Sequence, residues 1–257
     1  MSDLAVSPSP VADLRTMVGR SFRLASRNVD ALIMGLALPV ILMLMFVYLF
    51  GGAIHTGQSY VDYVVPGVLV VCAGFGVGGT AVSVADDLNS GIVDRFRSMD
   101  VRGEAIVAGH VVSSVLRNLV SMLVVVGVAV AIGFRSSASI GAWLAAAGLF
   151  ALFVFALSWL CAALGVLARS SEAAAGFTFL ISFLPYPSSS FVPVHTMPNW
   201  LQGFARNQPV TCVVDALRGL LTGGPVASLA AQAVVWSLGI TALGVVLAGV
   251  IFRRRVR

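Results

Sequence analysis

The sequence predicts an all-α integral membrane protein with six transmembrane helices, and two observations carry that prediction. Of 257 residues, 58% are hydrophobic and only 11% are charged, against roughly a quarter charged in soluble domains. The charges are also clustered: uncharged runs of about twenty residues, long enough at ~1.5 Å per residue to cross a hydrocarbon core of ~30 Å, alternate with short polar stretches. All sixteen basic residues are arginine. They sit at the ends of apolar runs, which suits membrane orientation; nucleic-acid binding needs a clustered basic face and is not indicated. Cys72, Cys161 and Cys212 are far apart, so neither a disulfide framework nor a zinc site is expected.

Residues 1–30 divide into a polar, proline-containing tail and a helix in which Leu14, Met17, Val18, Phe22, Ala25 and Val29 share one stripe, away from Arg15, Arg23 and Arg27. That pattern predicts an interfacial helix lying on the lipid surface. Residues 31–257 form one membrane domain. Its first span covers 31–50, with a kink expected at Pro39, and its second covers 63–85. Residues 86–104 then hold five acidic residues and three arginines. Within them Ile92, Val93, Phe96 and Met99 recur at helical spacing, which predicts a short amphipathic helix built to dock on a partner or lie on lipid.

The third span, 106–134, is overlong and carries His110 and Arg117 in its first half. Either it begins outside the bilayer or both face a protein interior, and snorkelling toward the cytoplasm is the simpler account. A fourth span covers 143–168, residues 169–172 turn back, and a fifth covers 173–183. The stretch LPYPSSSFVP at 184–193 stops that helix. Residues 194–227 are too polar to span, yet 209–221 has a helical pattern in which Val213, Ala216, Leu217 and Leu220 form a buried stripe. Asp215 and Arg218, three apart, can pair on its polar side. The sixth span covers 228–252.

Orientation follows from the arginines. With the amino end in the cytoplasm, the N-terminal helix, residues 86–104, Arg169 and the C-terminal arginines all lie inside, leaving Arg135, Arg206 and Arg218 outside. The positive-inside rule thus places both termini in the cytoplasm, and Tyr48, Tyr60, Tyr63, Trp143 and Trp200 fall near the outer interface. The GFGVGG run at 74–79 formally matches a dinucleotide fingerprint, but no strand precedes it inside a span. Gly74 and Gly78 fit helix packing through G-x-x-x-G instead. A phosphate-binding loop needs a lysine and the chain has none, so it is not expected to hydrolyse ATP alone. No metalloprotease or serine-hydrolase motif occurs, and no catalytic residue or metal ligand is assigned.

The region from 183 to 224 resembles the signature of type-2 ABC exporter permeases, the daunorubicin-resistance membrane protein family in particular. The matching residues are Pro185, Ser190, Phe191, Pro193, Met197, Pro198, Trp200, Leu201, Gln208, Pro209, Asp215, Arg218, Gly219 and Gly223. The likeness extends to the layout of the whole chain. It implies a cell-membrane permease that uses no cofactor of its own, assembles with a separate ATP-binding subunit and with either a second copy of itself or a paired permease subunit, and moves a hydrophobic compound or lipid outward. It also implies that 86–104 is a cytoplasmic coupling loop, with Gly91, Arg95, Phe96 and Arg97 at coupling-helix positions. The family often has two acidic residues where this chain has Ser90 and Asp94, which leaves open which carboxylate meets the ATPase. By the same likeness, 194–227 forms outer re-entrant helices carrying Pro198, Trp200, Pro209, Asp215 and Arg218. Two rivals remain: an ion-coupled secondary transporter, which would show ionisable residues deep in its spans, and a non-transporting membrane scaffold.

Overall fold

The computed structural model describes residue 19 and residues 29–54, 56–91 and 103–255. Nearly all of the interfacial helix expected over 11–30 lies outside the described residues. So do residues 92–102 of the charged stretch, with Asp94, Arg95, Phe96 and Arg97 among them. Among the described residues there are eight α-helices and no strand. They are α1 (Val29–Met45), which runs on into a π-helical turn at Phe46–Phe50; α2 (Tyr60–Asn89); α3 (Gly103–Ala131); α4 (Ile140–Leu167); α5 (Ser171–Phe183); α6 (Asn199–Asn207); α7 (Pro209–Thr222); and α8 (Ala227–Arg255).

Four of them, α2, α3, α4 and α8, are long and apolar enough to cross a membrane, while α1 and α5 are apolar but shorter. Shortness in α5 has a local cause. Pro185 and Pro187 cannot continue a helix, so the chain beyond Phe183 proceeds as consecutive turns. It nevertheless follows α2 from end to end in the antiparallel sense: Ser171 meets Asp86, the Ser182 hydroxyl donates to the Gly74 carbonyl at 3.3 Å, and Phe191 meets Tyr60.

Helix ends are set by recognisable residues. Ser139 and Ser170 accept from the backbone N–H groups of Ala142 and Ala173, each at 3.2 Å, as N-caps of α4 and α5. Pro209 opens α7, where its missing N–H is no loss, and Gly223 closes it at φ 85°. The largest departure from expectation is in α2, which continues four residues past 85, so that Asp86 and Asp87 are helical.

α2 and α4 form the centre. Val64, Val65, Val68, Leu69, Val70 and Val71 are all buried, which leaves α2 no lipid-facing side along that stretch. α3 and α8 are peripheral, exposing Val120, Leu123, Val235 and Val246 among others. Such apolar faces cost nothing in hydrocarbon, where packing and hydrogen bonds, not water exclusion, hold helices together. Close approach therefore depends on small residues. A Cβ at Gly165 would collide with the backbone of Ala81, and one at Gly244 would lie 2.8 Å from the backbone at Trp159 and Leu160.

Candidate functional site

The chemistry-bearing side chains gather at the two ends of α2 and in a seam between them. At one end, α7, the turns after α5 and the start of α2 are joined by Arg218. Its Nε donates to the Tyr63 carbonyl at 3.1 Å, one Nη to Asp215 Oδ1 at 2.5 Å and the other Nη to the Ser189 carbonyl at 2.7 Å. The guanidinium also lies 3.8 Å from the centroid of the Tyr63 ring. Ser189 Oγ donates to Asp215 Oδ1 at 2.7 Å, and the Tyr63 and Tyr60 hydroxyls donate to the carbonyls of Ser189 and Phe191 at 3.0 and 2.9 Å. Asp215 and Arg218 pair, as their spacing predicts, but not on an exposed face: their side chains are only 28% and 13% exposed.

The rest of this end is built the same way. Gln208 Nε2 donates to the Pro187 carbonyl at 2.5 Å, and the Ser136 hydroxyl donates to the Leu221 carbonyl at 2.7 Å. Pro198 precedes the first residue of α6 and accepts from Leu201 N–H at 2.9 Å. Trp200 and Phe204, one turn apart on α6, remain exposed.

At the opposite end of α2, three side chains of its last turn are tied down. Ser171 Oγ donates to Asp86 Oδ1, His110 Nε2 lies 2.8 Å from Asp87 Oδ2, and Arg255 donates to Asn89 Oδ1 at 2.7 Å. Arg255 also donates to the carbonyls of Val166 and Ala168 at 2.6 and 2.7 Å. These belong to the last turn of α4, where carbonyls have no helical partner and a cation complements the helix dipole. Glu172, outside the spans, is held below the usual carboxylate range by its own backbone N–H and the Ser170 hydroxyl. Gly91 follows at φ 70°, a left-handed conformation that glycine adopts freely, and turns the chain out of α2 into residues 92–102.

Between the ends runs a seam the sequence did not reveal. Gly74 and Gly78 face α5, near Ser182 and Thr178, whereas Gly76 and Gly79 face α3. The Gly76 carbonyl accepts from Arg117 at 3.1 Å, and a Cβ on Gly76 would collide with Asn118. Neither His110 nor Arg117 snorkels: both turn inward onto α2, because the glycine run and Asp87 give them room and partners there. Asn118 Nδ2 donates to the Ser114 carbonyl at 2.9 Å, and the Ser158 hydroxyl donates to Ser114 Oγ at 3.0 Å. Thr80 Oγ1, Ser113 Oγ and Asn118 Oδ1 are buried with no hydrogen-bond partner. The signal available in sequence was helical spacing, since 76, 80 and 87 share one face of α2 and 110, 114, 117 and 118 one face of α3.

The profile of the ABC-2 type transporter family matches residues 12–222. The chain belongs to that family. It is 33% identical over 188 residues to a daunorubicin resistance ABC transporter permease protein of Streptomyces coeruleorubidus, covering 72% of this chain and 66% of the relative. It is also 23% identical over 231 residues to a probable doxorubicin resistance ABC transporter permease protein of Mycobacterium tuberculosis, covering 89% of this chain and 84% of the relative. The chain thus spans about two thirds of the first relative's length. With four helices long and apolar enough to cross a membrane, it is a multi-pass membrane protein of this family.

Proposed function

We propose that this permease is the membrane subunit of an ATP-driven exporter in which two copies assemble with two separate ATP-binding subunits. It moves a hydrophobic, drug-like compound or lipid outward. The names of the relatives support the drug-like class, and the absence of lysine removes the residue an ATP-binding loop would need. The reading uses six spans, with α1 and α5 as the first and fifth, both termini cytoplasmic, and the Arg218 end outside. Gly74 and Gly78 act in helix packing, and Pro198, Trp200, Pro209, Asp215 and Arg218 shape the outer segment. Reporter fusions at Ser137 and Asn199 should signal outside and those at Ser98 and the C-terminus inside; a cytoplasmic signal at Asn199 would sink this topology.

The observation that carries the mechanism is the position of α2. It starts at the Arg218 junction and ends, through Asp86, Asp87, Asn89 and Gly91, at the loop that holds Asp94, Arg95, Phe96 and Arg97. A push on that loop from the ATPase acts directly on α2 and, through Ser171, His110 and Arg255, on α5, α3 and α8. No covalent step is required of this chain. Phe96 supplies the buried contact, worth about 1.5–3 kcal/mol by area, and Arg95 and Arg97 supply charge-assisted hydrogen bonds to the ATPase. Phe96→Ala should leave the permease inserted and abundant, weaken ATPase co-purification and abolish export. Full export with intact complex in both Phe96→Ala and Arg95→Ala removes the loop from the mechanism.

One observation favours the ion-coupled reading: Asp87, His110 and Arg117 form a polar seam inside the bundle. The two readings separate in vesicles. Export that needs ATP and the ATPase and survives a protonophore supports the first; export that needs only an ion gradient supports the second.

A further inference from the structure

The two halves of α2 are held by different partners. In the first half the Tyr63 carbonyl accepts from Arg218 of α7, and a Cβ at Gly67 would collide with the backbone of Ser190. In the second half Ala81 lies against Gly165 of α4, and Asp86, Asp87 and Asn89 meet Ser171, His110 and Arg255 of α5, α3 and α8. Between the halves, four of the six residues 74–79 are glycine, each of which weakens a helix relative to alanine. Close packing asks for one of them. A Cβ at Gly74, Gly78 or Gly79 would meet its nearest neighbour at 3.4–3.5 Å, an ordinary contact, whereas one at Gly76 would collide with Asn118.

Two carbonyls of this run take a second donor, each from a different helix. Ser182 of α5 donates to the Gly74 oxygen at 3.3 Å and Arg117 of α3 to the Gly76 oxygen at 3.1 Å. In an α-helix the same oxygens accept from the N–H groups of residues 78 and 80, and side chains that enter this ladder are a recognised cause of bending. A bend inside hydrocarbon requires other groups to take over the backbone that it frees. Those groups are in place here. Arg117 and Ser182 already hold the carbonyls, and Asn118 Oδ1, on a residue only 1% exposed, lies beside Gly76 with no hydrogen-bond partner. It is an acceptor for a freed N–H.

We propose that α2 bends at residues 74–79 in each transport cycle, and that Arg117 and Asn118 are positioning residues that stabilise the bent helix. The first half stays with α7 while the second half moves with the helix ends tied to it. A place in the cycle rests on the transmission reading given under Proposed function. The bend itself is measured without transport.

The test follows backbone hydrogen exchange at residues 78–80 of the full chain in lipid nanodiscs, together with ATP-dependent export from vesicles that hold the permease and its ATPase. Gly78→Ala and Gly79→Ala add methyl groups facing α5 and α3 respectively, so an effect common to both belongs to the backbone. Each should slow exchange and export about fivefold, the factor by which alanine favours a straight helix over glycine, with the ATPase complex intact. If one of them fails to fold, the other decides. Gly239→Ala in α8, where a Cβ meets nothing within 4 Å, should change neither quantity. Arg117→Met should slow exchange at 78–80, and Arg117→Lys, which keeps a donor, should bring it back. A residue that only braced the two helices would act in the opposite sense, so faster exchange in Arg117→Met overturns its assigned role. Unchanged exchange and export in both alanine variants removes the hinge, and a loss confined to one of two folded variants reassigns the effect to that residue's own contact. The expected exchange pattern in a protein that shows no ATP-driven export would support the bend and sink the exporter reading alone.

Discussion

Arg218 shows why a charged pair read from spacing alone is undervalued. Exposed pairs three apart on a helix contribute only about 0.2–0.5 kcal/mol. Here the guanidinium is mostly covered and bonds Asp215, Tyr63 and Ser189 on three different segments. Hydrogen bonds to charged groups contribute about 1.5–3 kcal/mol each, so removing all three should cost more than a surface pair even after allowing for partial exposure. Arg218→Ala is therefore expected to lower export per molecule more than it lowers abundance. Arg218→Lys should fall between, because lysine keeps the charge but not the planar fork that reaches Tyr63 and Ser189 together. Normal export by Arg218→Ala at normal abundance, measured in the same vesicles, would show that the junction is dispensable. The pairing was legible in the sequence, since it lies within one helix. The partners Tyr63 and Ser189 were not, because they lie 155 and 29 residues away.

At the scale of the element, hydrophobic runs and proline placement located the helices to within a few residues, and Pro185 and Pro187 marked where α5 ends. What composition misjudged is the tail of α2. Two adjacent carboxylates read as the start of the charged loop at 86–104, whereas Ser171 and His110 supply the partners that let Asp86 and Asp87 stay helical. Glycine reading had a similar limit. The G-x-x-x-G pair is in ordinary contact, with a Cβ at Gly74 or Gly78 meeting its nearest atom of α5 at 3.5 and 3.4 Å. Tighter positions include Gly67, whose Cβ would collide with the backbone of Ser190, and Gly165, which would collide with Ala81; neither belongs to a motif. Overpacking costs typically ~1–3 kcal/mol. Gly67→Ala and Gly165→Ala should accordingly lower thermal stability in detergent by that amount, and Gly74→Ala and Gly78→Ala by less. The reverse order would show that α2 and α5 approach more closely than α2 and α4.

For the molecule as a whole, the question is which parts would move if residues 86–104 were pushed as proposed. The segment built on α6 and α7, proposed to lie outside, is a poor candidate. Val213, Val214, Ala216, Leu217 and Leu221 of α7 are all fully buried, and the Arg218 junction fixes the helix to α2. A discretely packed interior resists continuous deformation. The α2–α3 seam differs, for Thr80, Ser113 and Asn118 leave buried polar atoms without partners, an arrangement natural proteins avoid unless another state or a water satisfies them. Motion should therefore concentrate at α3, with α7 a fixed plug. A native thiol makes this testable, because Cys212 Sγ lies 3.7 Å from Gln232 Oε1 on α8. A cysteine at 232 ends about two bonds short of that oxygen, so in Gln232→Cys a short reducible bis-thiosulfonate reagent, rather than a direct disulfide, should join α7 to α8. Export is expected to continue at close to the reduced rate after cross-linking. Export that stops on cross-linking and returns on reduction would mean that α7 moves against α8 in each cycle, and the plug would have to be redrawn as a gate.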